Sequence, residues 1–500
     1  MNDQTTAQTS APADSATAKS IQAYIDERPI WADGTAVGMT PMTAMQWRIL
    51  GLAAAGKFFE GFVVFMTGVA LPLIADEFKI NAFQHGLVSA ASLAGILVGA
   101  LFLGGLADRF GRKTMFIIEM MLFVAFLCLL VATPPLGIGS FALLVFFLFG
   151  IGVALGCDYP TAHLIISESI PSTDRGKLVL AAFGFQALGA LIGTAVGYVI
   201  LKNVPEIGAW RWMYATAIIP AMLVTVGRLF VTESGHWLLA RGRVEDAARA
   251  TARLLARKPP YPREIFLSRR MHPHAKHQDG YAALFSAENR RATIFASVPW
   301  FLQDLGTYGI GIFTPTILAA SVGHKAAHIR NISDLIANDE LAAKGAALID
   351  VLLIVGIIVA VLLADRVGRI RLQVVGFIGC AAGLALASLS NYAGEAGRMA
   401  LIFSGFMLFN FMTNMGPNAQ TYLLAGEVFP TRLRGTGAGF AAAVAKIGAV
   451  TTAFLFPVLL VDIGTQALLT ILVATSLMGA AVTWAFRIET TGVNLEKIGY

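Results

Sequence analysis

The sequence predicts an all-α membrane protein: twelve transmembrane helices in two pseudo-symmetric six-helix bundles. Three observations predict it. Of 500 residues, 56% are hydrophobic and only 14% are charged, against about 25% charged in soluble domains. Twelve apolar runs are each long enough to cross a hydrocarbon core of ~30 Å at 1.5 Å per residue. The chain also carries the same marks twice. Gly104-Gly105-Leu106-Ala107-Asp108-Arg109-Phe110-Gly111-Arg112-Lys113 recurs in weaker form as Asp365-Arg366-Val367-Gly368-Arg369. Glu168-x-x-Pro171-x-x-x-Arg175-Gly176 matches Glu427-x-x-Pro430-x-x-x-Arg434-Gly435, and Glu233-Ser234 matches Glu489-Thr490. The offsets are 257, 259 and 256 residues. Three marks in one order at one offset indicate a duplicated unit, a common construction among transporters.

Residues 1–46 are polar and rich in Ala, Ser and Thr, and are expected to form a cytoplasmic tail, disordered to about Ser20. The first bundle is expected over 47–232, with spans near 49–74, 85–107, 114–131, 141–166, 178–200 and 212–230. A basic cytoplasmic linker, 233–291, follows. It is partly helical in pattern from Val244 and is broken at Pro259-Pro260-Tyr261-Pro262. The second bundle is expected over 292–488, with spans near 294–320, 346–364, 372–389, 399–424, 436–460 and 466–485, and 489–500 form a cytoplasmic tail. Lys and Arg concentrate after even-numbered spans, which places both termini in the cytoplasm of a cell with this chain in its inner, or plasma, membrane.

The net charge of +6 does not imply nucleic acid, because the basic residues fall in short clusters between apolar runs. Cys128, Cys157 and Cys380 lie in apolar segments at spacings that suit neither a metal nor a disulfide framework. His272, His274 and His277 read as solvated linker residues. No Gly-x-x-x-x-Gly-Lys-Ser/Thr, His-Glu-x-x-His or Gly-x-Ser-x-Gly pattern occurs, so neither ATP drive nor an enzyme is expected, and no cofactor is implied.

Ionisable residues inside the spans are the candidates for function. Each costs at least ~2.5–3.5 kcal/mol at the bilayer centre, so it needs a partner, a wet cavity or a bound proton. They are Glu60, Asp158, Asp304 and Lys446. Lys57 and Glu60 are one turn apart and suited to pair. Lys446 either faces an anion or pairs with a carboxylate. Trp300, Asp304 and Tyr308 step by four and share one helix face. A desolvated carboxyl between two aromatics suits a narrow cavity for a small polar solute, and suits taking up a proton with that solute. Tyr159-Pro160 is expected to loosen the fourth span after Asp158, and Asn414-x-Gly416-Pro417-Asn418 to break the tenth. Gln186, Asn414 and Asn418 offer neutral donors, either to a solute or between helices. His163 reads as a packed helix residue.

The repeated loop motifs read as a gate. One set is Asp108, Arg109, Arg112, Glu168 and Arg175. The other is Asp365, Arg366, Arg369, Glu427 and Arg434. Ion pairs between the halves are expected to close the inner mouth.

These marks resemble the major facilitator superfamily, in its sugar-porter-like branch, over about residues 45–500. Three segments within that branch resemble phosphate:proton symporters. They are Gly156-Cys157-Asp158-Tyr159-Pro160, Trp300-Phe301-Leu302-Gln303-Asp304-Leu305-Gly306-Thr307-Tyr308-Gly309, and Asn414-Met415-Gly416-Pro417-Asn418 through Gly426-Glu427-Val428-Phe429-Pro430-Thr431-Arg432. The resemblance implies a phosphate site of Tyr159, Gln186, Trp300, Asp304, Tyr308 and Asn414. The first span departs from it. Glu60-Gly61-Phe62-Val63 stands where phosphate and aromatic-acid symporters carry Asp-x-Tyr-Asp, and Gly68-Val69-Ala70-Leu71-Pro72 is closer to aromatic-acid or other metabolite symporters.

The expectation is therefore a proton-coupled symporter of a small anion working by alternating access as a monomer in the bilayer. Glu60, Asp158 and Asp304 are its proton-sensitive acids, and phosphate is the first substrate. The alternatives are an organic solute (aromatic carboxylate, dicarboxylate or sugar) and a non-transporting membrane sensor.

Overall fold

The computed structural model describes residues 20–28, 40–103, 106–135, 138–172, 175–256, 281–322, 332–430 and 433–490. Twelve long helices run through it: α1 Ala44–Phe78, α2 Ala82–Leu103, α3 Arg112–Val131, α4 Ile138–Ser169, α5 Arg175–Asn203, α6 Ala209–Leu229, α7 Arg290–Val322, α8 Ile332–Val367, α9 Arg369–Ser388, α10 Glu395–Met415 continued as Pro417–Ala425, α11 Arg434–Asp462 and α12 Gly464–Phe486. Eleven of them are long and apolar enough to cross a membrane. The exception, α7, carries Gln303, Asp304, Thr307 and Tyr308 in its middle. Its polarity marks it out from the other eleven. The fold is a bundle of twelve long helices.

α1 to α6 pack chiefly among themselves, as do α7 to α12, and the two groups meet along α1–α7, α2–α11 and α5–α8. The α1–α5 contact is backbone against backbone: a Cβ on Gly61 would lie 2.0 Å from the Gln186 carbonyl oxygen. Small residues permit this approach, and it holds Gln186 against α1. The ends of α2 and α8 that lead into the duplicated motifs define a motif end of the bundle. There Phe183 of α5 stacks on Tyr422 of α10 at 4.5 Å, and the Tyr422 hydroxyl lies 3.5 Å from His163 Nδ1 of α4. At the opposite end Phe83 of α2 meets Phe454 of α11 edge-to-face at 5.3 Å. The two groups therefore touch at both ends, and the polar residues between them are enclosed.

Several expected boundaries shift. α8 begins at Ile332, well before the expected 346, because a long connection there continues the helix. Ile21–Asp26 of the supposed tail is a short helix capped by the Ser20 side chain, with Ile21, Tyr24 and Ile25 buried. Asp26 fastens it to the α4–α5 turn by accepting from the Ser172 amide at 2.7 Å. The linker forms Gly235–Ala240 and Val244–Leu254, and Thr43 before α1 donates to the Leu254 carbonyl at 2.7 Å. The proline cluster and the three linker histidines lie outside the described residues. α4 runs unbroken past Tyr159-Pro160, so the expected loosening there is absent. α10 does break at Gly416, which has φ −110° and ψ −101°.

Candidate functional site

The enclosed centre is built on one hydroxyl. Tyr308 of α7 donates to Glu60 Oε1 of α1 at 3.1 Å. It accepts from Gln186 Nε2 of α5 at 3.1 Å and from Lys446 Nζ of α11 at 2.5 Å. One donor and two lone pairs are thus all used. Lys446 Nζ also lies 3.3 Å from Asp304 Oδ2, 3.5 Å from Glu60 Oε1, and 4.3 Å from the centre of the Tyr308 ring. Lys57 Nζ meets Glu60 Oε2 at 3.0 Å. Glu60 and Asp304 are each 1% exposed and Lys446 2%.

Two ammonium groups and two carboxylates, drawn from both halves, are therefore buried together. Breaking one such buried pair leaves its partner uncompensated, which is costly. The balance is what makes the group responsive. Neutralising one acid with a proton leaves a net positive centre that an anion restores to neutrality.

The sequence brings Glu60, Gln186, Asp304 and Tyr308 to one place, and it separates others. Trp300 is buried one turn from Asp304 and meets Tyr422 edge-to-face at 6.1 Å. Asn414 turns away: its Nδ2 donates to the Leu353 carbonyl of α8 at 2.9 Å, and its Oδ1 accepts from Asn418 at 2.7 Å. Gln303 donates to Asn418 at 3.1 Å. These amides knit the second half. The side chains of Tyr159, Asp108, Asp365 and Arg434 lie outside the described residues.

Asp158 belongs to a different cluster. Its Oδ1 accepts from Arg228 of α6 at 2.8 Å, and the same guanidinium meets Glu119 Oε1 of α3 at 2.7 Å and the Phe116 carbonyl at 2.6 Å. Arg228 is fully buried and lies over the Phe116 ring at 3.5 Å. Two acids share this cation, and the Glu119 carboxyl also faces the Asp158 carboxyl and the Cys157 thiol. Asp158 is thus bonded within the first half, within reach of α1 at Gly56, and touches the Tyr308 centre through its charge on Lys57 and not through a direct bond. Glu119 and Arg228 escaped the sequence reading although each is an ionisable residue inside an expected span.

Among the described residues, Arg112 and Arg369 each bond an acid of their own half, where pairing between the halves was expected. Arg112 bonds Glu168 at 3.3 Å, and Glu168 accepts from Ser234 Oγ. Arg369 bonds Glu427, and Thr490 bridges both, accepting from Arg369 at 3.0 Å and donating to Glu427 at 2.8 Å. The two triads are copies, and in both the arginine follows a glycine with positive φ, Gly111 at 106° and Gly368 at 93°. The reason is geometric. The helix start that carries the arginine lies beside the end of its own half's next helix, α4 or α10. Arg109 and Arg366 are exposed, and Arg175 is partly buried with its Nε unpartnered.

With this geometry in view, known proteins add the family. A family model described as sugar (and other) transporter matches residues 50–500. The chain belongs to that family. It is 28% identical over 453 residues to the putative metabolite transport protein YaaU of Escherichia coli, covering 90% of this chain and 94% of that one. It is 25% identical over 453 residues to a repressible high-affinity phosphate permease of Neurospora crassa, covering 81% of this chain and 76% of the other. Its fold matches the major facilitator superfamily proton:xylose symporter XylE with a TM-score of 0.70 at 18% identity, covering 91% and 98% of the two chains. The chain is a membrane transporter and not an enzyme.

Proposed function

We propose that this transporter is a proton-coupled symporter of a small anion in the cell's inner membrane, with both termini cytoplasmic and inorganic phosphate the first substrate to test. One observation carries the reading: Lys446 is held between Asp304 and Glu60, with Lys57 adding a second positive charge. A proton arriving at Asp304 releases Lys446 to meet an anion. Anion and proton together leave the centre's charge unchanged, so the loaded and empty forms are both tolerable in hydrocarbon. Partial charge, with only one of the two bound, is penalised, and that penalty is the coupling. On the inner side the anion departs, Lys446 returns to Asp304, and the proton is displaced. Gln186 and Tyr308 orient the anion. The Arg112–Glu168–Ser234 and Arg369–Glu427–Thr490 triads hold the helix ends of each half rigid, so the halves rock as bodies about the centre.

An organic acid is the second reading. Trp300, Tyr422 and Phe183 form a continuous aromatic wall beside the centre, suited to a ring bearing a carboxylate. Phosphate uptake into proteoliposomes under an inward proton gradient, with competition by benzoate, separates the two. Uptake of phosphate that benzoate leaves unaffected supports the first reading. Benzoate uptake with no phosphate uptake replaces it with the second. Ligand binding with no flux of either makes the chain a sensor.

A further inference from the structure

Asp350 lies in the middle of α8, 3% exposed, on the contact between the two halves. Its Oδ1 accepts from Asn410 Nδ2 of α10 at 3.1 Å, and its Oδ2 lies 2.7 Å from Thr194 Oγ1 of α5. The groups that act on it are these two neutral ones. α1, α7 and α9, also packed on α8, present no charged or titratable group that acts on it among the described residues.

Counting hydrogens favours one state over the other. Thr194 Oγ1 is also 2.5 Å from the Ala190 carbonyl oxygen one turn back in α5. A threonine has a single hydroxyl hydrogen. With Asp350 ionised, that hydrogen serves one short contact, and the other becomes two oxygens facing each other with nothing between them. With Asp350 protonated, every contact is satisfied. The carboxyl donates to Thr194, Thr194 donates to Ala190, and Asn410 donates to the carboxyl oxygen.

We infer that Asp350 is a proton-binding site separate from the Tyr308 centre, and that its proton latches α5 of the first half to α8 of the second. The inference rests on the reading of the chain as an alternating-access transporter. The latch stands seven residues along α8 from Ile357, which packs on Gly184 nearer the motif end. Separation of the halves on the opposite side breaks the Thr194 contact and admits water to the carboxyl, and the proton then has a path out. Loss of that proton leaves a carboxylate facing the Thr194 oxygen, which opposes reclosure. The step is a simple transfer from the carboxyl to water, with no bond made or broken but O–H.

The test uses the full chain in lipid nanodiscs with no substrate. Infrared difference spectra near neutral pH between wild type and Asp350→Asn are expected to contain one protonated-carboxyl C=O band, and that band is expected to move in Thr194→Val. Asparagine keeps both bonds, its amide donating to Thr194 and its oxygen accepting from Asn410, so the fold is retained. Spin labels at Lys202→Cys and Leu341→Cys, in a Cys128→Ser background, report the separation of α5 and α8. Raising the pH is expected to add a longer distance in wild type and none in Asp350→Asn. A spectrum in which Asp350→Asn removes no protonated band overturns the proton assignment. Identical distances in both proteins at every pH overturn the latch. Neither readout needs transport, so both stand if the chain moves no phosphate and the proposed substrate is at fault.

Discussion

Lys446 Nζ in α11 lies 3.3 Å from Asp304 Oδ2 in α7, with both groups out of water. A buried pair of this kind gives little net stability, yet losing one partner is costly. In the proposed mechanism its value is in being exchangeable: a proton on one side and an anion on the other replace the same interaction.

Asp304→Asn removes the exchangeable proton and keeps the shape. Accumulation driven by a proton gradient is expected to be lost, while counterflow of phosphate across vesicles loaded on both sides persists. Radiolabel uptake in the two modes checks this. Accumulation at the wild-type level would remove Asp304 from the coupling.

Lys446→Met strands Asp304 and Glu60 against Lys57 alone. Stability is expected to fall by about 3–5 kcal/mol, the range for a broken buried pair, and anion binding to disappear. Adding Asp304→Asn to Lys446→Met is expected to restore a large part of the stability and none of the binding. A double-mutant cycle on thermal unfolding, with phosphate protection as the binding readout, measures both. Additive losses would mean the two residues are not coupled.

Much of this centre was legible in the sequence. The four-residue steps of Trp300, Asp304 and Tyr308 put all three on one face of α7, although the span itself reads as one of the apolar runs. The pairing of Lys57 with Glu60 followed from helix spacing. What periodicity does not carry is which helices face one another. Asp158 and Asp304 look alike as single acids in apolar runs, yet Arg228, seventy residues on in α6, draws Asp158 into the first half. By sequence Asn414 is open to a solute or to a neighbouring helix, and α8 presents a backbone carbonyl, that of Leu353, for it to bond. Glu119, Arg228 and Asp350 carried the same signal as Asp158 and needed only the same rule applied to them. The motifs lie at one end in both copies, which suggests reach across the halves; Arg112 and Arg369 instead meet an acid at the end of the next helix of their own half.

Arg112→Ala and Arg369→Ala, in the two copied triads, are expected to slow phosphate transport about equally, with little change in the concentration that half-saturates it. The loosened helix ends cost rigidity and leave the centre alone. Initial-rate kinetics decide this. A large rise in KM with kcat preserved would place these residues at the anion instead.

Gly61→Val inserts side-chain atoms where a Cβ alone would lie 2.0 Å from the Gln186 carbonyl. α1 and α5 are expected to separate, withdrawing Gln186 from Tyr308. Phosphate protection against unfolding should weaken about tenfold, the loss of roughly one charge-assisted hydrogen bond. Unchanged protection would show that Gln186 has no part in binding.

Charge balance at the Tyr308 centre is tested most directly by watching protons and anion together. Proteoliposomes holding a pH-sensitive dye, with no imposed gradient, receive external phosphate. Coupled entry acidifies the lumen in wild type, leaves it unchanged in Asp304→Asn, and scales with phosphate taken up. Phosphate entering wild-type vesicles with no proton movement, or with the same movement in Asp304→Asn, would contradict proton-coupled anion transport through Lys446 and Asp304.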